Sequence, residues 1–357
     1  MRLALLSSLG SPWSYELIEN IAAAGAEVHL FQLAPEPGQA YIDPKSPEWQ
    51  ARLERIDKVV SRREVLEPGT GILRYPKLGW MLRSRLKECD HLLTLYGGGL
   101  ALAAKCSGIK KYSVFAVGSD ILQQEGTALK VSRACLESAT AVICNGDQLM
   151  KSTQELAPRA KLFQLLIGVN IERFAPAEIP SQHRLICTRG FLPIYNNLDI
   201  LRALPLLPND LPNWEIVFAA GGDLLPQAES IVGGLPAELA SKVKFLRGIS
   251  GDSVVKELQQ STIFVSMSRS DGTATSLLEA LACGLVPVLS DIPANRNWAN
   301  PGALVPLDDV GQLAKALEMA IRRPISEDLR VQARHQVTSR ANAKANAKEL
   351  VNLISSL

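Results

Sequence analysis

The sequence predicts an α/β protein made of two parallel-sheet halves. Three observations predict it: a length of 357 residues, short apolar runs alternating with helical segments, and a restart of that pattern near Ile179. A chain of this length fits two cores. Strands that alternate with helices form a parallel sheet covered on both faces.

The first 33 residues read as a β-α-β unit. "RLALLSS" is a continuous apolar strand, as a strand buried on both faces should be. Gly10 turns the chain, Ser11 can cap, and Pro12 suits a first helical position. Leu17, Ile18, Ile21 and Ala22 line one helical face until Gly25, and Val28 to Leu33 returns as a strand. His91 to Tyr96 leads into Gly97-Gly98-Gly99 and a helix from Leu100. Tyr112 to Val117 and Ala141 to Asn145 add further strands. After the restart, strands are expected at 184–189, 215–220, 242–246, 262–267 and 286–290. The proline-flanked stretch Phe174 to Gln182 reads as the linker, and the chain beyond Pro324 as helical. The expected division is 1–172, 173–330 and a closing helical segment 331–357 packed across both domains. Ligands of such folds bind at the carboxyl ends of the strands, here in a cleft between the halves.

Composition excludes several function classes. The residues are 47% hydrophobic and 21% charged with a net charge of +2, which carries no nucleic-acid signature. Six cysteines form no C-x-x-C pair, which fits a reducing cytosol and a cytoplasmic location. "MRLALLSSLG" is too short for a signal-peptide core, and no run of 18 apolar residues exists. The four histidines are scattered and there is no D-x-D, so no metal is expected. Nucleophile-elbow, P-loop and G-x-G-x-x-G signatures are also absent, which removes the main support for hydrolase, ATPase and dehydrogenase readings.

The informative stretch is Ser268 to Asp291, "SRSDGTATSLLEALACGLVPVLSD". It follows a strand, opens a helix and ends that helix at Gly284. The unpaired amides and positive dipole end at the head of such a helix form a site for a diphosphate. Small residues at Gly272, Thr273, Ala274, Thr275 and Ser276 let a ligand approach the backbone closely. A structural reading stands beside this one. Ser276-Leu-Leu-Glu279 matches a capping box, and Asp271-Gly272 is a common turn dipeptide.

The segment "DGTATSLLE" resembles the E-x7-E motif of retaining glycosyltransferases of family GT4, which have the two-domain GT-B fold with Rossmann-like domains. Asp271 stands in the first acid's place and Glu279 in the second's. The similarity continues through "ALACGLVPVLSD", while "IGVNIERFAP" (167–176) resembles the family's segment before the second domain. "FLRG", ending at Gly248, resembles the strand end that contacts the nucleobase, and "GSD" resembles a cleft-facing loop of the first domain, which implies an acceptor-side place for Asp120. The resemblance implies that Asp271 contacts the transferred sugar and Glu279 the ribose. Backbone groups of Gly272, Thr273, Ala274 and Thr275 would hold sugar and diphosphate. Arg189 matches the arginine that neutralises the leaving diphosphate, and Gly10 matches the glycine loop facing diphosphate and acceptor. The implied donor is a UDP- or GDP-sugar, with no cofactor and no metal.

Three departures from the family pattern stand out. Tyr195 and Asn196 occupy the usual lysine's place, so Asn196 offers the donor a hydrogen bond but no charge. Val117 occupies the place of a frequent histidine, and Asp271 is one methylene shorter than glutamate. The segment Arg52 to Lys87 holds ten Lys/Arg against four Asp/Glu. Leu78, Met81, Leu82 and Leu86 fall near one helical face with Trp80 and basic groups around them, a pattern suited to peripheral contact with an anionic membrane. A core-packed helix with a basic solvated face has the same pattern.

The resulting expectation is a metal-independent, retaining glycosyltransferase acting on a glycan, lipid-linked or small-molecule acceptor. Two alternatives accompany it: a nucleotide-sugar epimerase of the same fold, and a non-catalytic GT-B binding or partner subunit. The missing charge at Tyr195 and Asn196 favours the latter.

Overall fold

In the computed structural model, which describes all residues except 10–11, 35–45, 72 and 123–125, the apolar runs form the buried middles of two parallel sheets. Gly10 and Ser11 lie outside the described residues. The chain divides into one unit of Met1–Ile167 with Ala343–Leu357 and a second of Gly168–Asn342.

The first unit begins with β1 (Arg2–Ser7), α1 (Pro12–Ala23), β2 (Glu27–Leu33), α2 (Pro47–Val59), β3 (Arg62–Leu66) and α3 (Arg74–Leu82). It continues with β4 (His91–Leu95), α4 (Gly98–Ser107), β5 (Tyr112–Ala116), α5 (Ser119–Leu122) and α6 (Gly126–Leu136). β6 (Ala141–Cys144), α7 (Asp147–Leu156) and β7 (Leu162–Gln164) follow. The seven strands are parallel in the order β3-β2-β1-β4-β5-β6-β7. Leu3, Leu5, Val28, Leu93 and Phe115 pack toward one helical layer, and Ala4, Leu6, Phe31, Leu92 and Val114 toward the other. This alternation is the reason strands covered on both faces read as unbroken apolar runs.

The second unit contains β8 (His183–Cys187), α8 (Asn197–Ala203), β9 (Trp214–Phe218), α9 (Leu225–Gly233), α10 (Ala237–Ala240) and β10 (Val243–Phe245). Next come α11 (Gly251–Gln259), β11 (Ile263–Ser266), α12 (Thr275–Ala282), β12 (Val286–Ser290), α13 (Pro293–Arg296) and β13 (Ala303–Val305). α14 (Val310–Arg322) and α15 (Glu327–Arg340) complete it, and α16 (Ala343–Ser356) returns to the first unit. Its six parallel strands run β10-β9-β8-β11-β12-β13. In each sheet the chain winds outward on one side, then restarts beside its first strand and winds to the other side. That is the doubly wound, Rossmann-like order, and the reversal falls between β1 and β4 in one unit and between β8 and β11 in the other.

Two expectations about boundaries are corrected. The stretch Phe174 to Gln182 lies within the second unit, because α15 ties this part of the chain down. Arg334 donates to the carbonyls of Ile171 and Phe174 at 2.8 and 2.9 Å, and Arg330 to that of Ala177 at 2.9 Å. The closing segment 331–357 comprises parts of two helices, α15 in the second unit and α16 in the first. Between them Ala341 and Asn342 leave the helical path: the Val169 N–H donates to the Ala341 carbonyl at 2.8 Å and Asn342 pairs with Val169.

The basic segment divides as well. Leu78, Leu82 and Leu86 are buried in the core of the first unit, so most of the apolar face expected there is internal. Gly79 permits this packing: a Cβ there would lie 2.6 Å from the Ala103 carbonyl oxygen on α4. Trp80 and Leu73 remain at the surface, 71% and 70% exposed.

Candidate active site at the carboxyl ends of β8 and β11

Arg189 leaves the end of β8 and Asp271 the end of β11, so the strand order places both beside the reversal point of the second sheet. Side-chain and backbone bonds fix the two loops. Asn197 Nδ2 donates to the carbonyls of Arg189 and Gly190 at 2.7 and 2.9 Å. Ser290 Oγ donates to the Ser268 carbonyl at 2.6 Å, and the Arg269 N–H donates to Ile194 O at 2.8 Å, joining the β11 loop to the β8 loop.

The guanidinium of Arg189 meets Asp271 through Nη2, at 3.0 and 2.9 Å from its two carboxylate oxygens. Nη1 donates to Ser276 Oγ at 3.1 Å, in the first turn of α12. Burial pushes the Asp271 carboxyl above its ordinary value, against the pull of Arg189 and Ser268. Arg189 Nε and Thr188 Oγ1 are buried with no hydrogen-bond partner among the described residues. Buried polar atoms left unsatisfied are costly and are the kind of group a bound ligand would satisfy.

The capping-box reading of Ser276 and Glu279 is overturned. α12 begins at Thr275 after the cap residue Ala274, with no side-chain cap hydrogen bond, so Ser276 is the second helical residue. Among the described residues no side chain caps the helix head, where backbone amides suit an acceptor. Gly272, Thr273 and Ala274 are buried in the turn leading to it. Glu279 is half-buried one turn beyond Ser276 on the same face, and its charge helps raise the Cys283 thiol, already lifted by burial, to about 12. Leu277, Leu278 and Leu281 anchor the opposite side, and Gly284 closes the helix at φ +84°.

The remaining expected residues divide. Gly248 sits beyond the end of β10, two strands across the sheet from β8, at φ +59° where a side chain is strained. Asn196 lies in the turn at φ 50°, with Nδ2 bonded to Asp199 at 2.8 Å and Oδ1 accepting from Arg269 at 3.4 Å. The side chain beside Arg189 is instead Tyr195, whose ring centroid is 4.0 Å from Cζ.

In the first unit Asp120 is buried, and its carboxylate accepts from the amides of Gly97, Val117 and Gly118 at 2.7, 3.1 and 2.7 Å. These bonds clamp the loops after β4 and β5 together. Sequence reasoning also left three groups around Arg189 unassigned. Tyr195 looked only like a lost charge, Ser276 like a cap, and Thr188 carried no signal. Among the described residues, no three His, Cys, Asp or Glu side chains group as a metal site would require.

Comparison with known proteins places this geometry. Over 100% of both chains the structure is similar, at a TM-score of 0.81 and 15% identity, to the Anabaena protein HepE solved with UDP. The fold is GT-B, two Rossmann-like domains each built on a parallel sheet. Residues 183–323, which hold the site just described, match the model of the family Glycosyl transferases group 1.

Two relatives share sequence with this chain. A Xanthomonas campestris GDP-mannose:cellobiosyl-diphosphopolyprenol alpha-mannosyltransferase is 30% identical over 35% of this chain and 33% of its own length. A Mycolicibacterium smegmatis GDP-mannose-dependent phosphatidylinositol monomannoside mannosyltransferase is 24% identical over 69% of this chain and 70% of its own. The match thus spans about a third of the first relative's length and somewhat over two thirds of the second's.

Proposed function

We propose that this protein is a retaining, metal-independent glycosyltransferase whose second unit binds a UDP- or GDP-sugar. The observation that carries the proposal is the head of α12, which no side chain caps among the described residues, with Arg189 bonded to its first turn and Arg189 Nε buried without a partner among them. Permanent positive charge and helix amides at one point suit a diphosphate and oppose the charge it gains as it leaves.

In the proposed reaction the bond from the anomeric carbon to the diphosphate oxygen breaks. A bond from an acceptor hydroxyl forms on the same face, and the hydroxyl proton passes to the departing phosphate. Arg189 and the amides of Thr275 and Ser276 hold the leaving group, and Glu279 takes the ribose. Asp271 exchanges Arg189 for the hydroxyls of the sugar, since a diphosphate competes with it for the guanidinium.

The relatives act with GDP-mannose on diphosphopolyprenol-linked or phosphatidylinositol-linked glycans, which supports a lipid-linked acceptor here. With it comes peripheral contact at a cytoplasmic membrane face. Trp80 and Leu73, with the exposed Lys77, Arg83 and Lys87, would provide that contact. Among the described residues, no helix is long and apolar enough to cross a membrane.

Incubation with labelled GDP-mannose or UDP-glucose, lipid-linked oligosaccharide acceptors and excess EDTA tests the proposal. Transfer that persists with EDTA and keeps the donor's anomeric configuration is expected. Donor isomerised without acceptor would mark an epimerase, and nucleotide binding without turnover a non-catalytic subunit; either outcome overturns the transferase reading.

A further inference from the structure

We propose that Tyr195 is a positioning residue for Arg189: its ring holds the guanidinium in the donor site where the family pattern has a lysine. The inference rests on the reading of the second unit as a donor site and adds a role that the lost charge at this position would otherwise deny.

The geometry assigns each part of the guanidinium. Nη2 reaches both oxygens of Asp271, Nη1 reaches Ser276 Oγ, and Nε is buried without a partner among the described residues. The Tyr195 ring lies 4.0 Å from Cζ, within the range of a cation–π contact. An aromatic partner differs from a carboxylate in what it leaves behind. It attracts the cation through its π face and neither accepts the in-plane N–H bonds nor cancels the charge.

The ring's support is itself fixed. Tyr195 ends the short 3-10 turn Pro193–Tyr195, and its N–H donates to Leu192 O at 3.0 Å. The preceding carbonyl, of Ile194, accepts from Arg269 on the β11 loop at 2.8 Å. The following residue, Asn196, is held in the left-handed conformation with its side chain bonded to Asp199 and Arg269. The turn that carries the ring is thus tied to the loop that carries Asp271. Asn196 acts through this turn, while Arg189 remains the charge that would meet a diphosphate.

Tyr195→Phe keeps the ring and Tyr195→Leu removes it. For transfer from the donor, the phenylalanine variant is expected within about twofold of wild type. The leucine variant is expected to lose about tenfold or more in kcat, with a smaller change in KM, because the misplaced charge acts on the leaving group. The Arg189 Nε–H resonance, assigned with Arg189→Lys, is expected to lose a ring-current shift in Tyr195→Leu and keep it in Tyr195→Phe.

Equal kcat in Tyr195→Leu and wild type, equal losses in the two variants, or an unmoved Nε–H resonance in Tyr195→Leu would overturn the inference. The resonance does not depend on turnover. A wild type that binds no nucleotide therefore counts against the donor site, while the spectrum still decides whether Tyr195 holds Arg189.

Discussion

Asp120 and Asp271 are both buried carboxylates, and burial pushes both above their ordinary range. Their partners separate their roles. Asp120 accepts from backbone amides that cannot move away, whereas Asp271 is held by a guanidinium and a hydroxyl-bearing neighbour that can turn to a ligand. The motif spacing made Arg189, Asp271 and Glu279 legible in the sequence. The fates of Asp120 and Asn196 were not, because they depend on contacts such as Gly97 to Asp120, 23 residues apart. His91 gives a residue-scale prediction. Burial first, and then Lys111, lowers its pKa to about 4, and its Nε2 lies 2.8 Å from Ser113 Oγ. The unfolded chain takes up this proton near pH 6.5 while the folded one does not, so stability is present above 6.5 and lost as pH falls toward 4. The loss is roughly 3 kcal/mol. Urea midpoints measured from pH 7 to pH 4 should show this slope flattened in His91→Gln; an unchanged slope would refute the assignment.

The elements that the sequence missed share a cause. β3, β7 and β13 are all sheet edges, and β7 and β13 have only three residues each. An edge strand has one neighbour and one open flank, so it needs no apolar run of the kind that marks a strand covered all round, although the fourth edge, β10, was anticipated at 242–246. β3, "RREVL", carries three charged residues in five. The helix α3 shows the opposite ambiguity, since periodicity identifies an apolar face but not what covers it. Leu78 and Leu82 face the core, so the proposed membrane contact would fall to Leu73, Trp80 and the basic side chains near them. Co-sedimentation with phosphatidylserine-containing vesicles is the check. The wild type should sediment and a Leu73→Ser/Trp80→Ser variant should not. Equal sedimentation of both, or of neither, would remove this helix from the account.

At the scale of the whole molecule, two parallel-sheet units were legible because strand and helix alternate twice along the chain, whereas the Rossmann-like order was implied only by the family resemblance. The unit boundaries were less so: Arg330 and Arg334 bind carbonyls of the expected linker region more than 150 residues earlier. The second sheet brings the ends of β8 and β11 together at its reversal point, and α12 begins there. That arrangement makes a diphosphate site at the head of α12 the central claim, and calorimetric titration of the full chain with GDP and with UDP tests it most directly. Wild type should bind one of them, and Arg189→Gln, still folded by circular dichroism, should weaken binding by about tenfold or more, the value of one charge-assisted contact. Glu279→Gln should weaken the nucleoside diphosphate but leave inorganic diphosphate unaffected. No binding of either nucleotide to the wild type, or undiminished binding to a folded Arg189→Gln variant, would contradict the account.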